Sequence, residues 1–380
     1  MLILADENIP FSKEAFGHIG QVETFNGRAL QNEDLKNANI LLVRSITKVN
    51  ESLLKDTPVQ FVGSATIGFD HIDLNYLQKH NITFSRAPGC NAISAAEYVV
   101  SSLLILAKLK GFNLQDKTVG VIGCGNVGSR VIKRLEVLGV QCLPHDPPLQ
   151  EETGDTKYVN RDTVLGADII SMHVPLITSG KHPTLHLANK AFFEKLSNNG
   201  IFINTSRGDV VVENELLYKL KTQPTFNAIL DVWENEPNID PELLTLASIA
   251  SPHIAGYSLD GKVRGTEMIY HALCKDLNIA PQWKALDGLP KPGLLSMSFS
   301  ENIDNADLLY QAVTSCYDSR DDDSLLRQTV IDKKQGLSFD GLRKNYRARR
   351  EFSCLQINLA NDKVEISQQL SQLGFNTKLL

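Results

Sequence analysis

Residues 117–128 read KTVGVIGCGNVG and join a short β-branched run to three closely spaced glycines. The run before the glycines predicts a buried strand, and the apolar spacing after them predicts a helix. In such a strand–turn–helix unit, Gly123 makes the tight turn, Gly125 lets the backbone approach a pyrophosphate, and Gly128 lets the helix pack closely on the strand. We therefore predict that this unit binds a dinucleotide.

The neighbouring residues indicate which dinucleotide binds. Asn126 and Val127 lead into the predicted helix, whose N-terminus offers unpaired N–H groups and a positive dipole end to phosphates. Asp146 stands 18 residues beyond Gly128 and follows another predicted strand, so its carboxylate can accept hydrogen bonds from both ribose hydroxyls. No arginine follows it closely to hold a 2′-phosphate. The pattern indicates NAD; a tight glycine turn followed by a surface aspartate is the alternative.

Most of the chain alternates short aliphatic runs with helical patterns, which is typical of parallel α/β folds. We predict two Rossmann-like or flavodoxin-like parallel-sheet domains and a small C-terminal α+β domain. The predicted strands of the first series span 2–5, 40–43, 60–62 and 82–85. Those of the second series span 118–122, 141–143, 168–172, 200–204, 226–230 and 248–250. Long helices are predicted over 93–110 and 260–277.

The last hundred residues differ from the rest. Prolines and glycines that include Gly288 punctuate the stretch 281–293 and predict a linker. The alternating run 351–359 predicts a half-buried strand. Just before it, the basic run 343–350 is typical of a solvated helix face, with a phosphate or partner contact as the alternative.

Composition excludes several classes of function. The chain has 380 residues and a formal net charge of −6, which argues for two or three domains and against a general nucleic-acid partner. No apolar run reaches the roughly 18 residues that span a bilayer. The N-terminus has no basic segment of the kind that begins a signal peptide. The six cysteines show no metal-ligand spacing. We expect a cytoplasmic protein with no membrane partner and no metal site.

Three residues with catalytic chemistry each follow a predicted strand of the second series: Arg207, Glu236 and His253. Ligands of open α/β sheets bind outside the carboxyl ends of strands, so the three can face one crevice. An arginine offers a bidentate fork to a carboxylate, and a histidine is the usual acid or base near neutral pH. The glutamate should orient the imidazole and favour its protonated form. Asp231 ends a strand and is placed to contact the nicotinamide side of the cofactor.

Each of these residues also has a structural interpretation when taken alone. A single histidine after a strand is more often structural, and an arginine before a glycine is often a surface residue. His71, His173 and His186 are competing histidines. The common position of the three residues at strand ends, and their order along the chain, favour the catalytic interpretation.

Several motifs together resemble the D-isomer-specific 2-hydroxyacid dehydrogenases. They are the glycine loop 123–128, His173-Val174-Pro175-Leu176, Asn204-Thr205-Ser206-Arg207-Gly208, residues 231–237 and Ser251-Pro252-His253-Ile254-Ala255-Gly256. The resemblance implies that residues 1–92 with 254–280 form the substrate-binding domain and residues 93–253 the NAD-binding domain. It also implies that Arg207 binds the substrate carboxylate and carbonyl, that Glu236 supports His253, and that His253 is the proton donor.

The same resemblance extends the cofactor site to Val174, Thr205 and Gly256. Val174 stands where many members have threonine, so no side-chain hydrogen bond to the cofactor is predicted there. The C-terminal residues 281–380 resemble a dimerisation domain found in one branch of the family, which implies a homodimer.

That branch acts on a phosphorylated sugar acid, which needs donors beyond a single arginine because it has two anionic ends. Arg44 and Ser45 follow one predicted strand, Thr66 follows the next, and Tyr257 lies close to His253. We predict that these four bind substrate. Turn capping by Ser45 and Thr66, or an ion pair of Arg44, is the alternative.

Two other functions fit the same residues. One is the NAD-dependent oxidation of another 2-hydroxy acid, above all 3-phosphoglycerate. The other is a protein that senses NAD without catalysis, such as a corepressor built on this fold. Turnover distinguishes them, because a sensor binds NADH but consumes no substrate.

Overall fold

The computed structural model describes residues 1–285 and 289–380, so Gly288 of the predicted linker lies outside the described residues. The chain divides into two compact units, each built from two stretches of sequence. The first unit consists of Met1–Asn91 with Ser258–Lys291, and the second of Ala92–Tyr257 with Pro292–Leu380. The three-domain division expected from the sequence stays a prediction.

The first unit contains a five-stranded parallel sheet in the order β2-β1-β3-β4-β5. The strands are β1 (Leu2–Asp6), β2 (Gln21–Phe25), β3 (Ile40–Val43), β4 (Phe61–Ser64) and β5 (Thr83–Arg86). The helices are α1 (Ser12–Phe16), α2 (Glu51–Leu54), α3 (Leu74–Lys79) and the long α11 (Leu259–Asp276).

Both faces of this sheet are buried, as expected of inner parallel strands. On one face, Ile3, Leu42 and Phe61 share a core with Ile269 and Leu273 of α11. A second core, on the other side of the same strands, contains Leu41, Val43, Val62, Leu53 and Leu77. Successive side chains along each strand therefore point to opposite faces of the sheet, and each face packs against its own layer of helices.

The second unit contains a six-stranded parallel sheet in the order β11-β10-β9-β8-β6-β7. The strands are β6 (Thr118–Ile122), β7 (Gln141–His145), β8 (Ile169–Met172), β9 (Ile201–Asn204), β10 (Asn227–Leu230) and β11 (Ile249–Ala250). The helices are α4 (Ala92–Lys110), α5 (Gly128–Val137), α6 (Pro147–Thr153), α7 (Arg161–Leu165), α8 (Lys190–Lys195), α9 (Glu213–Thr222) and α10 (Pro241–Leu246). The strand order reverses at β6, so the predicted glycine loop lies at the switch point where such sheets bind ligands.

Polar side chains mark the start of many helices. Asn50, Asp73, Asn189, Asp240 and Ser258 each accept a hydrogen bond from a backbone N–H in the first turn of the helix that follows. Such caps satisfy N–H groups that have no partner within the helix. Local sequence therefore determines where these helices begin.

The C-terminal segment belongs to the second unit and has its own small parallel sheet, β12 (Ser296–Ser298), β13 (Gln356–Leu359) and β14 (Asn376–Leu379). Its helices are α12 (Asn305–Cys316), α13 (Ser319–Val330), α14 (Phe339–Lys344) and α15 (Val364–Leu373). Leu370 of α15 is fully buried in the same hydrophobic cluster as Leu135 of α5. The segment and the six-stranded sheet thus share a core.

The predicted α/β fold is confirmed, with local corrections. The strand predicted over 351–359 begins only at Gln356, because Phe352–Cys354 forms a 3₁₀ turn whose Phe352 ring stacks on Phe375 at 4.5 Å between centroids. The edge strand β2 has no counterpart among the predicted strands. α4 is long and apolar enough to cross a membrane by length and composition, but 78% of its apolar window is buried inside the protein.

Candidate active site

The glycine loop connects β6 to α5 as the sequence predicts, and each glycine has its own reason. Gly123 has a φ of +87°, a conformation that side chains disfavour. A Cβ on Gly128 would lie 1.9 Å from the Gly123 carbonyl oxygen, so helix and turn meet only without a side chain. A Cβ on Gly125 would meet no described atom within 4 Å. Protein packing does not demand glycine there, whereas a closely approaching phosphate would.

Asp146 lies beside this loop, at the carboxyl end of β7. Its Oδ2 accepts a hydrogen bond from the Cys124 N–H at 2.7 Å, and its Oδ1 accepts from the Leu149 N–H at 3.1 Å. The carboxylate therefore caps α6 and is held against the glycine loop. Each oxygen has a further lone pair for a ribose hydroxyl, so the geometry fits NAD.

His173 links the ends of two strands. Its Nε2 lies 2.8 Å from Ser171 Oγ and its Nδ1 lies 3.0 Å from Thr205 Oγ1. Burial lowers the pKa of His173 to about 3, so the ring is neutral at physiological pH. The sequence presents His173 as a rival catalytic base, but its position indicates a structural bridge. Thr205 and Val174, both predicted to contact cofactor, flank that bridge, and Val174 also borders Gly123.

Arg207 follows β9 in a tightly constrained turn. The side-chain amide of Asn204 donates to the Arg207 carbonyl at 3.1 Å, and its oxygen accepts from the Ser206 N–H at 3.0 Å. A Cβ on Gly208 would lie 1.9 Å from the Trp233 carbonyl oxygen, so the turn also needs its glycine. The half-buried guanidinium donates to the Ser206 carbonyl at 2.7 Å. The turn thus fixes where the arginine leaves the sheet.

Asp231 organises the backbone that precedes and follows His253. The His253 N–H donates to the Asp231 carbonyl at 2.7 Å. The side-chain Oδ1 of Asp231 accepts from Ser251 Oγ at 2.6 Å and from the backbone N–H groups of Ile254 and Ala255 at 2.7 and 3.0 Å. Burial raises the pKa of Asp231, and the charge of His253 with these hydrogen bonds opposes that rise. Asp231 therefore fixes the loop that presents the histidine.

His253 and Glu236 form the pair that the sequence predicts. His253 Nδ1 lies 2.8 Å from Glu236 Oε2, and His253 has a φ of +57°, a left-handed conformation that is uncommon for residues other than glycine. Burial alone would raise the pKa of Glu236. The hydrogen bond and charge of His253, the Trp233 N–H and the charge of Arg343 together lower it instead. The ionised Glu236 accepts the Nδ1 proton, which leaves Nε2 as the nitrogen for a substrate.

Tyr257 follows this loop and contacts the C-terminal segment. Its hydroxyl accepts a hydrogen bond from Arg343 Nη2 at 3.4 Å, and its ring packs edge-on against Tyr346 with centroids 5.9 Å apart. Gly256, predicted to bind cofactor, lies in the same loop. The predicted residues Arg207, Asp231, Glu236, His253 and Tyr257 thus all belong to the second unit.

The other predicted substrate residues belong to the first unit, at the ends of β3 and β4. Arg44 Nη1 donates to the Asn8 carbonyl at 3.4 Å, and burial with the charge of Arg44 lowers the pKa of Lys262 to about 8. Ser45 is exposed. Thr66 Oγ1 lies 2.8 Å from Ser64 Oγ and 3.3 Å from the Gly68 carbonyl oxygen, so its hydroxyl also supports its own turn.

The basic run 343–350 is not a solvated helix face. α14 ends at Lys344, and Arg349 is only 4% exposed. Arg349 donates to the Ser94 carbonyl at 2.7 Å and to the Ala255 carbonyl at 3.1 Å. The sequence does not signal the role of Arg343 either, because its partners lie about a hundred residues away along the chain.

Comparisons with known proteins identify the family of this chain. The profile of the D-isomer specific 2-hydroxyacid dehydrogenase NAD binding domain matches residues 95–255, and that of a domain of unknown function matches 288–374. The chain is 46% identical to an erythronate-4-phosphate dehydrogenase from Hahella chejuensis and 45% identical to one from Proteus mirabilis. Each of these matches covers 99% of both chains.

A solved structure shares the fold. A D-lactate dehydrogenase from Aquifex aeolicus, complexed with NAD and lactic acid, superposes with a TM-score of 0.58 at 25% identity. The match covers 73% of this chain and 95% of that one. The chain therefore belongs to the erythronate-4-phosphate dehydrogenase family, within the D-isomer specific 2-hydroxyacid dehydrogenases, and its second unit contains their NAD-binding domain.

Proposed function

We propose that this chain oxidises 4-phospho-D-erythronate to 2-oxo-3-hydroxy-4-phosphobutanoate with NAD, a step in the synthesis of pyridoxal 5′-phosphate. The observation that carries the proposal is the 2.8 Å hydrogen bond between His253 and the ionised Glu236. That bond provides an acid/base of the kind that a hydroxyl oxidation requires. The assignment of the substrate is supported by 46% and 45% identity to two erythronate-4-phosphate dehydrogenases over 99% of each chain.

In this reaction His253 Nε2 accepts the proton of the substrate C2 hydroxyl, and it returns a proton when the reaction runs backwards. Glu236 holds the opposite ring nitrogen and stabilises the imidazolium that forms. Arg207 binds the substrate carboxylate and the oxygen that becomes the carbonyl. The chemistry that bound NAD would supply is a hydride acceptor for C2. Gly123, Gly125 and Gly128 would hold its pyrophosphate, with support from Asn126, Val127 and Gly256 in the adjoining loops.

The remaining cofactor and substrate residues complete the proposal. Asp146 binds the ribose hydroxyls, Asp231 faces the nicotinamide, and Val174 and Thr205 border the cofactor. Arg44, Ser45, Thr66 and Tyr257 bind the substrate. The half-buried cations Arg44 and Lys262 support an anionic ligand in the first unit, because two neighbouring positive charges attract an anion.

The test is product formation by the purified protein, compared between wild type and His253→Ala. The assay supplies 4-phospho-D-erythronate, NAD and a 2-oxo acid that reoxidises slowly released NADH, and it detects the 2-oxo product directly. Wild type should form product, and the variant should lose about a hundredfold or more in rate. Turnover of 3-phosphoglycerate instead would replace the substrate. No turnover of either, with NADH still bound, would indicate a sensor.

We also propose a homodimer formed through residues 281–380. Two observations support it. β12 and β14 are the edges of the small sheet, and exposed leucines lie just before β12 (Leu294 and Leu295) and at the end of β14 (Leu379). Light scattering after size exclusion should give twice the 42.0 kDa of one chain. Leu295→Asp should reduce that mass, because a charge in an apolar interface is costly. A wild-type mass of one chain contradicts the dimer.

The domain division and the location of the protein complete the proposal. We infer that residues 1–92 with 254–280 bind substrate, residues 93–253 bind NAD, and residues 281–380 form the dimer. We expect the protein in the cytoplasm, where NAD and sugar phosphates are found. Fractionation of cells that express the full chain tests the location, and activity in a periplasmic or membrane fraction would contradict it.

A further inference from the structure

Arg343 of the C-terminal segment lies beside the catalytic pair of its own chain. Its guanidinium donates to the Tyr257 hydroxyl, and its charge acts on Glu236. The nearest acidic partner on its own helix, Asp340, is 3.9 Å away, which is too far for a hydrogen bond. Its Nε is buried and has no hydrogen-bond partner among the described residues. Arg343 is thus held mainly by groups of the active site.

The burial of Arg343 is difficult to explain by stability alone. Its side chain is only 19% exposed, and burying a cation is costly without close, well-aligned partners. The contact with Tyr257 is long at 3.4 Å, and the ion pair with Asp340 is half exposed. These contacts offset little of the cost of burying the guanidinium, and a charge buried at such a cost is typical of functional sites.

The effect on Tyr257 follows from hydrogen-bond geometry. A phenol oxygen that accepts from a guanidinium directs its own proton elsewhere and becomes a stronger donor, because hydrogen bonds in a chain polarise one another. The edge-on ring of Tyr346 restricts the Tyr257 ring, and the Tyr346 hydroxyl is held by Asp322 at 2.8 Å. The C-terminal segment therefore orients both the ring and the hydroxyl of Tyr257.

We propose that Arg343 is a positioning residue of the active site, which directs the Tyr257 hydroxyl to the substrate and keeps a positive charge beside Glu236. The proposal rests on the proposed function and assigns a catalytic contribution to the segment that matches a domain of unknown function. Among the described residues of the second unit, the other charged groups near the pair are acidic: Asp231 interacts with His253, and Glu213, which also interacts with Glu234 and Asp240, interacts with Glu236. Arg343 adds its positive charge to that of His253, and both lower the pKa of Glu236.

The experiment compares Arg343→Gln and Arg343→Lys with a matched control, Arg320→Gln. Arg320 belongs to the same segment, but its side chain is 48% exposed and pairs with Asp318. Arg343→Gln should lower kcat/KM for 4-phospho-D-erythronate about tenfold, whereas Arg320→Gln should match wild type. Arg343→Lys keeps the charge but not the planar fork, so it should lose about threefold. Combined with Tyr257→Phe, Arg343→Gln should lose less than the product of the single losses.

A second readout needs no substrate and therefore separates this inference from the proposed function. The ring proton of His253 is followed by NMR across the pH range in wild type and the variants. Loss of the Arg343 charge removes one of the causes that lower the pKa of Glu236, so the titration midpoint of the His253–Glu236 pair should move to higher pH in Arg343→Gln. It should stay unchanged in Arg343→Lys and Arg320→Gln. Absence of wild-type turnover would refute the proposed function and leave this titration as the test.

Two results overturn the proposal. One is an Arg343→Gln protein whose kcat/KM lies within about twofold of Arg320→Gln and whose midpoint equals that of wild type. The other applies if Arg343→Gln does not fold: an Arg343→Lys protein with the kcat/KM of wild type, at a pH where Tyr257→Phe is impaired. Unchanged NADH binding in every variant confirms that the losses concern the substrate side of the reaction.

Discussion

Glu97 provides the sharpest test of how the C-terminal segment is held on the second unit. It is 1% exposed in α4, and its Oε1 accepts from the Phe352 N–H at 2.9 Å. Its Oε2 has no hydrogen-bond partner among the described residues and lies 3.8 Å from Arg349 Nη2. Burial, followed by the charge of Glu351, raises the pKa of Glu97 from 4.5 to about 8, against the effect of Arg349. Glu97 is therefore protonated at neutral pH.

The raised pKa makes stability depend on pH. Between pH 4.5 and about 8 the folded state keeps a proton on Glu97 that the unfolded chain releases. The free energy of unfolding therefore falls as pH rises, by up to about 1.4 kcal/mol per pH unit. Between about pH 6 and about pH 7.5 the free energy of unfolding falls by roughly 2 kcal/mol. Glu97→Gln resembles the protonated acid and lacks this dependence.

The assay is urea unfolding of wild type and Glu97→Gln at both pH values. As pH rises over that interval, the free energy of unfolding of Glu97→Gln should increase by roughly 2 kcal/mol relative to that of wild type. Glu194→Gln, which changes a side chain that is 64% exposed, should follow wild type at both pH values. A difference between Glu97→Gln and wild type that is independent of pH would refute the reasoning. Glu97 would then be ionised throughout and paired with Arg349.

Four further substitutions test the site and the shared core. Glu236→Gln should lower kcat/KM by roughly 10- to 100-fold with little change in melting temperature, because the partner of the catalytic imidazole loses its charge. Gly125→Ala should weaken NADH binding, measured by fluorescence titration, without destabilising the free protein, since its Cβ meets no described atom within 4 Å. Gly128→Ala should weaken NADH binding and also destabilise the free protein, because its Cβ would lie 1.9 Å from the Gly123 carbonyl oxygen. Leu370→Ala, at a fully buried position, should destabilise the second unit by about 2–5 kcal/mol in denaturant unfolding.

Periodicity predicts the inner strands well and the edges poorly. β3 and β9 are buried along their whole length; β3 is the aliphatic run ILLV, and β9, IFIN, is apolar up to its last residue. β2 has the sequence QVETF with three exposed residues, so nothing in its pattern distinguishes it from a loop. Its pairing with β1 gives it a strand conformation, and that partner is not visible in the local sequence.

The residues of the site also divide into those that the local sequence predicts and those whose position depends on distant partners. Arg207, Glu236 and His253 follow strands of a parallel sheet, so their side of the sheet follows from topology. Arg343 and Arg349 lie in a run that predicts a solvated face, yet Arg343 is half-buried and Arg349 is buried, because Tyr257, Ser94 and Ala255 supply partners far away in sequence. His173 shows how burial and two hydroxyl partners, absent from any local motif, turn a titratable residue into a neutral bridge.

The interleaved order of the two units has a consequence for synthesis on the ribosome. The first unit lacks α11 until the chain has been made beyond residue 276, although its five strands emerge at the start. The second unit lacks Leu308, Phe352 and Leu370 until its last 89 residues appear, which takes roughly 5–20 seconds at usual elongation rates. During that interval the nascent chain exposes the apolar surfaces that these residues later cover. Emergence of the C-terminal segment, and not that of either large sheet, therefore marks the point at which both cores can close.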